Sequence, residues 1–408
     1  MITLTGKYNE AKVFTDSVEE TAVSQIINLL NQDFVEGGKI RIMPDTHAGA
    51  GCVIGFTANL GDKVVPNLVG VDIGCGMNVV ELGKGNFNLN FLDEILHSYI
   101  PSGRKVHDNR VAKFNKIYEM YCFNELRNTG TFENAIGSLG GGNHFVELDK
   151  DGEGNNYLVI HSGSRNLGKQ VADYYQHIAI DFWKNGGVEY KEHRQKLISG
   201  LREEKRGYDI PSVLKQYDEH FKNSHPIYPA DLCFLIGEQR ERYLHDMQIC
   251  QEYAFLNRSV MADIILENLL GAYSSNFDGF QTIHNYIDFE DNIIRKGAVS
   301  AYAGERLIIP INMRDGSILA VGKGNNDWNN SAPHGAGRLM GRNVAKKTLS
   351  LEEFKSQMVD VYSTTVGQNT LDEAPSAYKP IQEIINNIEP TVEIQKIIKP
   401  IYNFKAIE

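Results

Sequence analysis

The glycine-rich segment at residues 69–77, with the sequence VGVDIGCGM, constrains this chain more than any other stretch. It follows an apolar run directly and places the carboxylate of Asp72 three residues before the thiol of Cys75. Glycine lets a backbone bend sharply and approach a ligand closely, while a carboxylate and a thiol are a hard and a soft donor for a divalent metal. Taken alone, the segment is equally compatible with a tight turn that carries a buried structural cysteine.

Composition and charge indicate a chain that can bury a sizeable core. Hydrophobic residues make up 42% of the 408 residues and charged residues 23%, which is ordinary for a globular protein. The 41 basic and 52 acidic residues give a formal net charge of −11, so a polyanionic partner would have to meet a local basic patch. The charge therefore neither favours nor excludes nucleic acid.

Cysteine usage and hydropathy bear on the compartment. The five cysteines are scattered without paired spacing, which argues against a disulfide framework and fits a reducing cytoplasm. The first residues lack the apolar core of a signal peptide, and no run approaches the ~18 apolar residues of a membrane span. We therefore expect a cytoplasmic protein with no membrane partner.

Four further stretches concentrate side chains suited to chemistry. These side chains are Asp45 and His47 in residues 44–51, Asn143, His144 and Glu147 in residues 137–147, His161 and Arg165 in residues 161–168, and His334, Arg338 and Arg342 in residues 331–342. The glycine run at 140–142 exposes backbone N–H groups that can cradle a phosphate. Arg165 stands at a predicted helix start, where its fork of N–H donors would grip an anion.

The stretch at 331–342 combines a histidine with two arginines spaced four residues apart. On a predicted helix, positions i and i+4 share a face, so Arg338 and Arg342 would grip anionic groups together. His334 would then be an imidazole in a phosphate-binding setting, as a phosphoramidate-forming nucleophile requires. Considered alone, His334 is more simply a loop histidine, and His284, in a short β-type segment, is more simply a core histidine.

Hydrophobic periodicity predicts a coarse secondary structure around these loops. We expect strands at residues 68–71, 77–82 and 157–160, helices at 90–100, 113–126, 239–270 and 379–388, and an extended stretch at 392–405. The loop with Asp72 and Cys75 would thus join two strands. The charged stretch at 184–225 is expected to form solvated helices and loops, and contact with a polyanion stays open.

Five groups from these stretches are able to bind metal: Asp72, Cys75, His144, His161 and His284. They suffice for two metals if Cys75 or a substrate oxygen bridges. Ligands drawn from distant segments, with no zinc-finger spacing, imply a catalytic centre assembled by the fold with open positions for substrate. A cysteine with three histidines also suits zinc, so ligand type alone does not identify the metal.

At these residues the sequence resembles the RtcB family of RNA-splicing ligases. The resemblance is carried by VGVDIGCGM at 69–77, GGGNHF at 140–145, HSGSR at 161–165 and HGAGR at 334–338, in the family's order, and it runs from about residue 43 to residue 405. It implies a single α+β domain over residues 1–408, with mixed β-sheets and surrounding helices around a binuclear metal site. A variable charged helical insertion is expected at about 184–235.

The resemblance also implies an activity and a role for each site residue. The family joins RNA with a 2′,3′-cyclic phosphate or 3′-phosphate to RNA with a 5′-hydroxyl, using GTP and manganese, in RNA repair or tRNA splicing. The implied ligands of two Mn²⁺ are Asp72, Cys75, His144, His161 and His284, with Cys75 shared. His334 would be the guanylylated nucleophile, oriented by Asp45. Contacts with GTP or GMP are implied for Asn143, Glu147, His334, Gly335, Gly337, Tyr378 and Lys405, and contacts with phosphate or RNA for Arg165, Arg338 and Arg342.

The chain departs from the family pattern at Pro333, at Gly341 and in the loop at 310–316. We therefore expect a divergent branch with an altered nucleotide pocket. The resemblance to the family also implies an archease-like activator as a further partner. Two other functions stay open. One is a binuclear metal phosphoesterase that opens RNA cyclic phosphates without ligation and gives His334 no covalent role. The other is a non-catalytic RNA-end binder, against which the intact set of donors argues.

Overall fold

Two large β-sheets form the framework of the chain in the computed structural model, which describes residues 1–224 and 226–406. The strands in these residues are β1 (Ile2–Thr5), β2 (Glu10–Val13), β3 (Ile40–His47), β4 (Ile54–Asn59), β5 (Gly76–Lys84), β6 (Phe145–Lys150), β7 (Asn155–Ser162), β8 (Asp278–Ile283), β9 (Asn285–Asp288), β10 (Ile293–Lys296), β11 (Ala298–Ser300), β12 (Arg306–Asn312), β13 (Gly316–Gly322), β14 (Ser331–Pro333) and β15 (Val392–Lys405). The helices are α1 (Glu20–Leu30), α2 (Leu89–Tyr99), α3 (Arg165–Asn185), α4 (Gly187–Glu203), α5 (Ile210–Ser224), α6 (Gly237–Leu270), α7 (Arg342–Thr348), α8 (Leu351–Gln357) and α9 (Ile381–Ile388). His225, at the end of the charged stretch, and the last two residues of the expected domain lie outside the described residues.

The first sheet has six strands in the order β1-β2-β3-β4-β10-β9, and it is antiparallel except for the parallel pair β2 and β3. The second sheet has seven strands in the order β12-β13-β15-β6-β7-β5-β8, all antiparallel. A short pair, β11 with β14, lies apart from both. The expected α+β class with mixed sheets is confirmed.

The seven-stranded sheet curls around an apolar interior. Its inner face carries a cluster of buried side chains from six strands: Met77, Val79, Phe145, Tyr157, Val159, Ile308, Leu319 and Ile398. The two edge strands meet, because Arg306 at the start of β12 donates to Asp278 at the start of β8 over 2.8 Å. The outer face packs on α2 and α6 through a second apolar cluster. Both faces of the sheet are thus covered by apolar side chains. The loops at the strand ends remain available to form a binding site.

The charged stretch folds into α4 and α5, and the expected helical character is confirmed. Several of its basic residues pair with acids nearby: Lys191 with Asp181, Arg194 with Asp218, and Arg206 with Glu204 and Asp209. The expected helices at 90–100, 239–270 and 379–388 and the extended stretch at 392–405 are also found, as α2, α6, α9 and β15. Over residues 1–224 and 226–406, no helix combines the length and apolar character that crossing a membrane requires.

Two local predictions are wrong. Residues 113–126 form two short 3-10 helices, at Asn115–Glu119 and Phe123–Glu125, instead of one α-helix. The carboxylate of Asp246, from α6, accepts the backbone N–H groups of Tyr121 and Cys122, so a side chain replaces the helical hydrogen bonds there.

The strand predicted at 68–71 is also absent. Its apolar residues form the 3-10 turn Pro66–Leu68 and a bend at Gly70, where φ is +105°. Proline has no N–H to donate to a strand ladder, and a positive φ ends an extended conformation. The loop with Asp72 and Cys75 therefore joins a turn, not a strand, to β5.

Candidate active site

The seven-stranded sheet brings four of the predicted metal ligands to one end. Cys75 precedes β5, His144 precedes β6, His161 lies near the end of β7, and His284 follows β8. Because β6, β7, β5 and β8 are adjacent and antiparallel, the start of each strand lies beside the end of the next. The pairing of His161 with Phe145 on one side and Met77 on the other fixes this alignment.

The donors form a continuous row, here called the metal row, that also includes Asp72. His144 Nε2 lies 3.1 Å from Asp72 Oδ2 and 3.4 Å from Cys75 Sγ, and His161 Nε2 lies 3.3 Å from Cys75 Sγ and 3.4 Å from His284 Nε2. Tetrahedral zinc, with bonds of about 2.0 Å to nitrogen and 2.3 Å to sulfur, would hold a nitrogen and a sulfur about 3.6 Å apart. The spacing therefore fits metal ligands, with the Cys75 sulfur between two pairs.

Hydrogen bonds and burial prepare the imidazoles for metal binding. His144 Nδ1 lies 2.8 Å from the carbonyl oxygen of Leu139, which would accept the N–H of the ring once a metal takes the place of the proton between Nε2 and Asp72. Burial, with positive charge from neighbouring residues, lowers the pKa of His161 and of His284 well below the usual value. Both rings are therefore neutral, which is the state that binds a metal.

Cys75 and Asp72 differ in their electrostatic state. Burial, followed by the charge of Asp72, raises the pKa of the Cys75 thiol well above its usual value, so metal binding would release a proton there. Burial also acts to raise the pKa of Asp72, but the hydrogen bond and charge of His144 and the charge of Arg165 outweigh it and lower that pKa. A Cβ at Gly163 would lie 2.3 Å from Asp72 Oδ1, so only glycine allows this approach.

Two buried residues of α6 support the metal row, and the sequence reasoning missed both. The Asn257 amide oxygen accepts the backbone N–H groups of Gly137 and Ser138 at 2.8 and 3.2 Å. Arg258 Nη1 donates to the carbonyl oxygens of Gly74 and Ser162, each at 2.8 Å. The one sequence signal was a pair of polar residues inside the apolar stripe of this helix. They tie the helix to three of the glycine-rich loops.

His334 lies at the end of β14, beside the metal row, with its ring centroid 4.8 Å from that of His284. Its Nδ1 is 2.7 Å from Oδ2 of the fully buried Asp45, and its backbone N–H donates to the same oxygen at 3.2 Å. A Cβ at Gly337 would lie 2.3 Å from the Asp45 carbonyl oxygen, and φ is +77° there, so this position also requires glycine. His334 Nε2 is left to face the neighbouring pocket.

A pocket extends from His161 and His334 towards the end of β15. Its lining comprises His47, Asn143, Phe145, Glu147, His161, Pro310, Ile311, Asn312, Met313, His334, Gly335, Ala336, Gly337, Arg338, Arg342, Glu373, Tyr378 and Lys405. All the residues expected to contact the nucleotide are in this lining, and so is part of the divergent loop at 310–316. Arg165 is not, because it donates from Nε to Ser138 Oγ and from Nη2 to the Gly103 carbonyl oxygen.

The expectation that Arg338 and Arg342 share a helix face is wrong. Helix α7 begins only at Arg342, whereas Arg338 pairs with Tyr378 in an isolated β-bridge. Both arginines nevertheless reach one carboxylate, since Glu373 Oε1 lies 3.1 Å from Arg338 Nη1 and 3.2 Å from Arg342 Nη1. The two guanidinium groups are therefore brought together by Glu373 rather than by helix periodicity.

Glu373 is the main pocket residue that the sequence reasoning missed. Its Oε2 lies 2.7 Å from Lys405 Nζ and accepts the Tyr378 hydroxyl at 2.6 Å. Burial acts to raise the pKa of Glu373, but the charges of Lys405, Arg342 and Arg338 outweigh it and lower the pKa to about 2. Its only sequence signal was its place five residues before Tyr378. The carboxylate holds three cations in the pocket.

Glu147 and Asp149 are two acidic residues on the inner face of β6. Glu147 Oε1 accepts the Asn403 amide at 2.6 Å, and burial raises the pKa of Glu147 to about 7. Asp149 is fully buried, and neither of its carboxyl oxygens has a hydrogen-bond partner among the described residues. Burial and the charge of Glu147 raise the pKa of Asp149 well above its usual value. Asp149 is therefore a neutral acid behind the pocket.

Comparison with known proteins gives a consistent match over the whole site. A family model described as tRNA-splicing ligase RtcB matches residues 25–124 and 115–406. The RNA-splicing ligase RtcB of Escherichia coli strain K12 is 28% identical, over 96% of this chain and 96% of its own. The RNA-splicing ligase RtcB2 of Escherichia coli strain ATCC 25922 is 26% identical over 90% and 87%, and the tRNA-splicing ligase RtcB of Nanoarchaeum equitans is 24% identical over 88% and 85%. The matched residues include the metal row, His334 and the pocket.

Proposed function

Because the chain belongs to the RtcB family, whose model is described as tRNA-splicing ligase, we propose that it is an RNA ligase. We propose that it uses GTP and Mn²⁺ to join RNA with a 2′,3′-cyclic phosphate or 3′-phosphate to RNA with a 5′-hydroxyl. The reaction would pass through GMP bound to His334. The observation that supports this most directly is an imidazole held by a buried carboxylate between the metal row and a cationic pocket.

The metal row would supply the ligands of two metal ions, with Cys75 between them. Asp72 and His144 lie on one side of the sulfur, while His161 and His284 lie on the other. When bound, two divalent ions would polarise the attacked phosphate and stabilise charge on the leaving oxygen. Manganese is proposed from the family resemblance, because this donor set also suits zinc.

Asp45 would set the state of His334. By accepting the Nδ1–H, the carboxylate keeps the Nε2 lone pair directed at the pocket and stabilises the positive ring that forms on attack. Nε2 would attack the α-phosphorus of GTP, so that a P–N bond forms while the P–O bond to pyrophosphate breaks and pyrophosphate leaves with the electron pair. A 2′,3′-cyclic phosphate would first be hydrolysed by water to a 3′-phosphate. An oxygen of the 3′-phosphate would then attack the phosphorus of GMP and break its P–N bond to His334, and the 5′-hydroxyl would attack the activated 3′-phosphate and release GMP.

The far end of the pocket would hold the nucleotide. Arg338, Arg342 and Lys405 supply positive charge for phosphate groups, and each already contacts Glu373. Glu147 lines the pocket, and its second carboxyl oxygen would accept N–H groups of a guanine ring. Gly335 and Gly337 also line the pocket beside His334. Arg165, on the other side of the metal row, would contact RNA phosphate.

Incubation with α-³²P-labelled GTP and MnCl₂, followed by a denaturing gel, tests the nucleophile. We expect stable label on the wild type and on His177→Ala, which removes an exposed histidine of α3, and no label on His334→Ala. Equal labelling of His334→Ala and wild type would refute this role. Cys75→Ala should lose both bound metal and label.

The same assay separates ligation from the phosphoesterase alternative. A phosphoesterase would open an RNA cyclic phosphate without GTP and without labelling, and His334→Ala would leave its rate unchanged. Ligated RNA that depends on both GTP and His334 would exclude that alternative. An archease-like activator, a cytoplasmic location and the choice between repair and splicing stay predictions from the sequence.

A further inference from the structure

A strongly basic surface lies next to the metal row. Residues 104–116, here called the basic stretch, contain five lysines and arginines and one aspartate, in a chain whose formal net charge is −11. Its basic residues are all exposed: Arg104, Lys105, Arg110, Lys113 and Lys116. Because the chain is acidic overall, a polyanion can bind only where basic residues are concentrated locally, and the basic stretch is such a place.

Three of these cations are not neutralised by the protein. Arg110 pairs with Glu133, and Lys116 pairs with Glu252. Arg104, Lys105 and Lys113 have no ion-pair or side-chain hydrogen-bond partner within residues 1–224 and 226–406. In the charged stretch, Lys191, Arg194 and Arg206 pair with nearby acids, whereas Lys196 and Arg202 of α4 have no ion pair among the described residues. What distinguishes the basic stretch is its connection to the metal row.

Hydrogen bonds connect the basic stretch to the metal row. The turn that opens it is anchored at Gly103, whose N–H donates to the Gly140 carbonyl oxygen at 2.7 Å and whose own carbonyl oxygen accepts from Arg165 at 2.9 Å. Gly140 packs against a metal ligand, since a Cβ there would lie 2.6 Å from His144 Nδ1. Gly103 is thus hydrogen-bonded to the loop that carries His144, and Arg104 is the residue that follows Gly103.

Exposed aromatic rings follow the cations. Tyr118 is 57% exposed and Tyr121 is 59% exposed, although each belongs to a residue type that is usually more buried. Single-stranded nucleic acid is bound by cations that follow the backbone and by aromatic rings on which bases stack. A purely acidic protein partner would use the cations but not the rings.

We propose that the basic stretch and Tyr118 bind the single-stranded RNA whose reacting end lies at the metal row, through its phosphates and one stacked base. The choice of RNA as the ligand rests on the proposed function. Contacts between single-stranded RNA and three unpaired cations would change the slope of log K against log salt concentration by about 2. At 0.1 M salt they would raise the binding constant by a factor on the order of 100. One stacked base would contribute a factor of about ten.

Fluorescence anisotropy with a 5′-fluorescein-labelled, 12-nucleotide RNA bearing a 3′-phosphate tests the surface. The variant is Arg104→Ala/Lys105→Ala/Lys113→Ala, and the matched control is Lys84→Ala/Lys196→Ala/Arg202→Ala, which also removes three exposed cations. We expect the variant to lose affinity on the order of 100-fold at 0.1 M KCl and to reduce the salt slope by about 2, while the control stays near wild type. Equal slopes for variant and wild type would overturn the proposal, and so would an equal loss in the control.

A second pair of variants and a second readout separate the surface from the chemistry. Tyr118→Ala should weaken RNA binding about ten-fold, whereas Tyr208→Ala, which truncates a tyrosine 80% exposed in the turn between α4 and α5, should not. Labelling by GTP without RNA should be the same in the triple variant and the wild type. If neither protein is labelled, the proposed ligase chemistry fails, but the anisotropy comparison still decides the surface.

Discussion

Glu373→Gln should destabilise the fold in a way that depends on pH. The side chain is 2% exposed and contacts Lys405, Arg338 and Arg342, so glutamine would remove a carboxylate that three cations share, while Arg342 would keep its contact with Asp372. Glutamine has nearly the same shape, so the change removes charge rather than volume. The variant therefore isolates the electrostatic contribution of this carboxylate.

The size of the effect follows from the depressed pKa. The pKa of Glu373 falls from 4.5 to about 2 on folding, and each pKa unit is worth 1.36 kcal/mol. The ionised carboxylate therefore contributes about 3 kcal/mol to the free energy of unfolding at neutral pH. Because the folded pKa is the lower one, this contribution is complete above pH 4.5 and is lost as pH falls towards 2. About a quarter is lost by pH 4 and more than half by pH 3.

Urea denaturation of wild type and Glu373→Gln at several pH values between 7 and 3 measures this difference. We expect the variant to be about 3 kcal/mol less stable at pH 7, with the two proteins converging as the pH falls. A matched control is Glu389→Gln, an exposed acid at the end of α9, which should change stability little. A difference that stays constant from pH 7 to pH 3 would refute the electrostatic reasoning. Inorganic phosphate should stabilise the variant more than the wild type, because it would replace the negative charge that Lys405 and Arg338 lose.

Two further predictions concern buried polar groups. Arg258→Lys should keep the positive charge but not both carbonyl contacts, so metal affinity should fall about 10- to 100-fold by metal titration, and unchanged affinity would remove Arg258 from the support of the metal row. Asp149→Leu should raise the free energy of unfolding by about 1–3 kcal/mol at pH 7, because it removes two carboxyl oxygens without partners. The gain in stability should shrink as pH falls towards about 4. Folding raises the pKa of Asp149, so this carboxyl destabilises the fold least at a pH where it is protonated in both the folded and the unfolded protein. A less stable Asp149→Leu protein would contradict this.

Residues that lie close together in the sequence were the easiest to predict. Asp72 with Cys75, and His334 with the glycines after it, stand in loops whose composition already indicates a ligand, and the structure places all five predicted stretches around one centre. The resemblance to a family supplied their roles. Those roles, including GTP, manganese and guanylylation of His334, stay predictions.

Residues whose importance arises only from spatial neighbours were missed. Glu373 has an ordinary sequence context, and its role appears only when Arg338, Arg342 and Lys405 come together from three segments. The stretch at 113–126 has apolar residues near helical spacing, but the carboxylate of Asp246 satisfies its backbone from another helix. Local periodicity cannot register a hydrogen bond made by a residue more than a hundred positions away.

The antiparallel order that collects the ligands at one end of the seven-stranded sheet leaves the opposite end free of them. The turn between β6 and β7 lies there, about 20 Å from His144 along a six-residue strand. Gly152 and Glu153 in this turn are exposed, whereas Asp151 before them is buried and bonds to Asn155 and Tyr157. An affinity tag or a fluorescent domain inserted between Gly152 and Glu153 would thus attach to the protein without shifting the register of any strand that carries a predicted metal ligand.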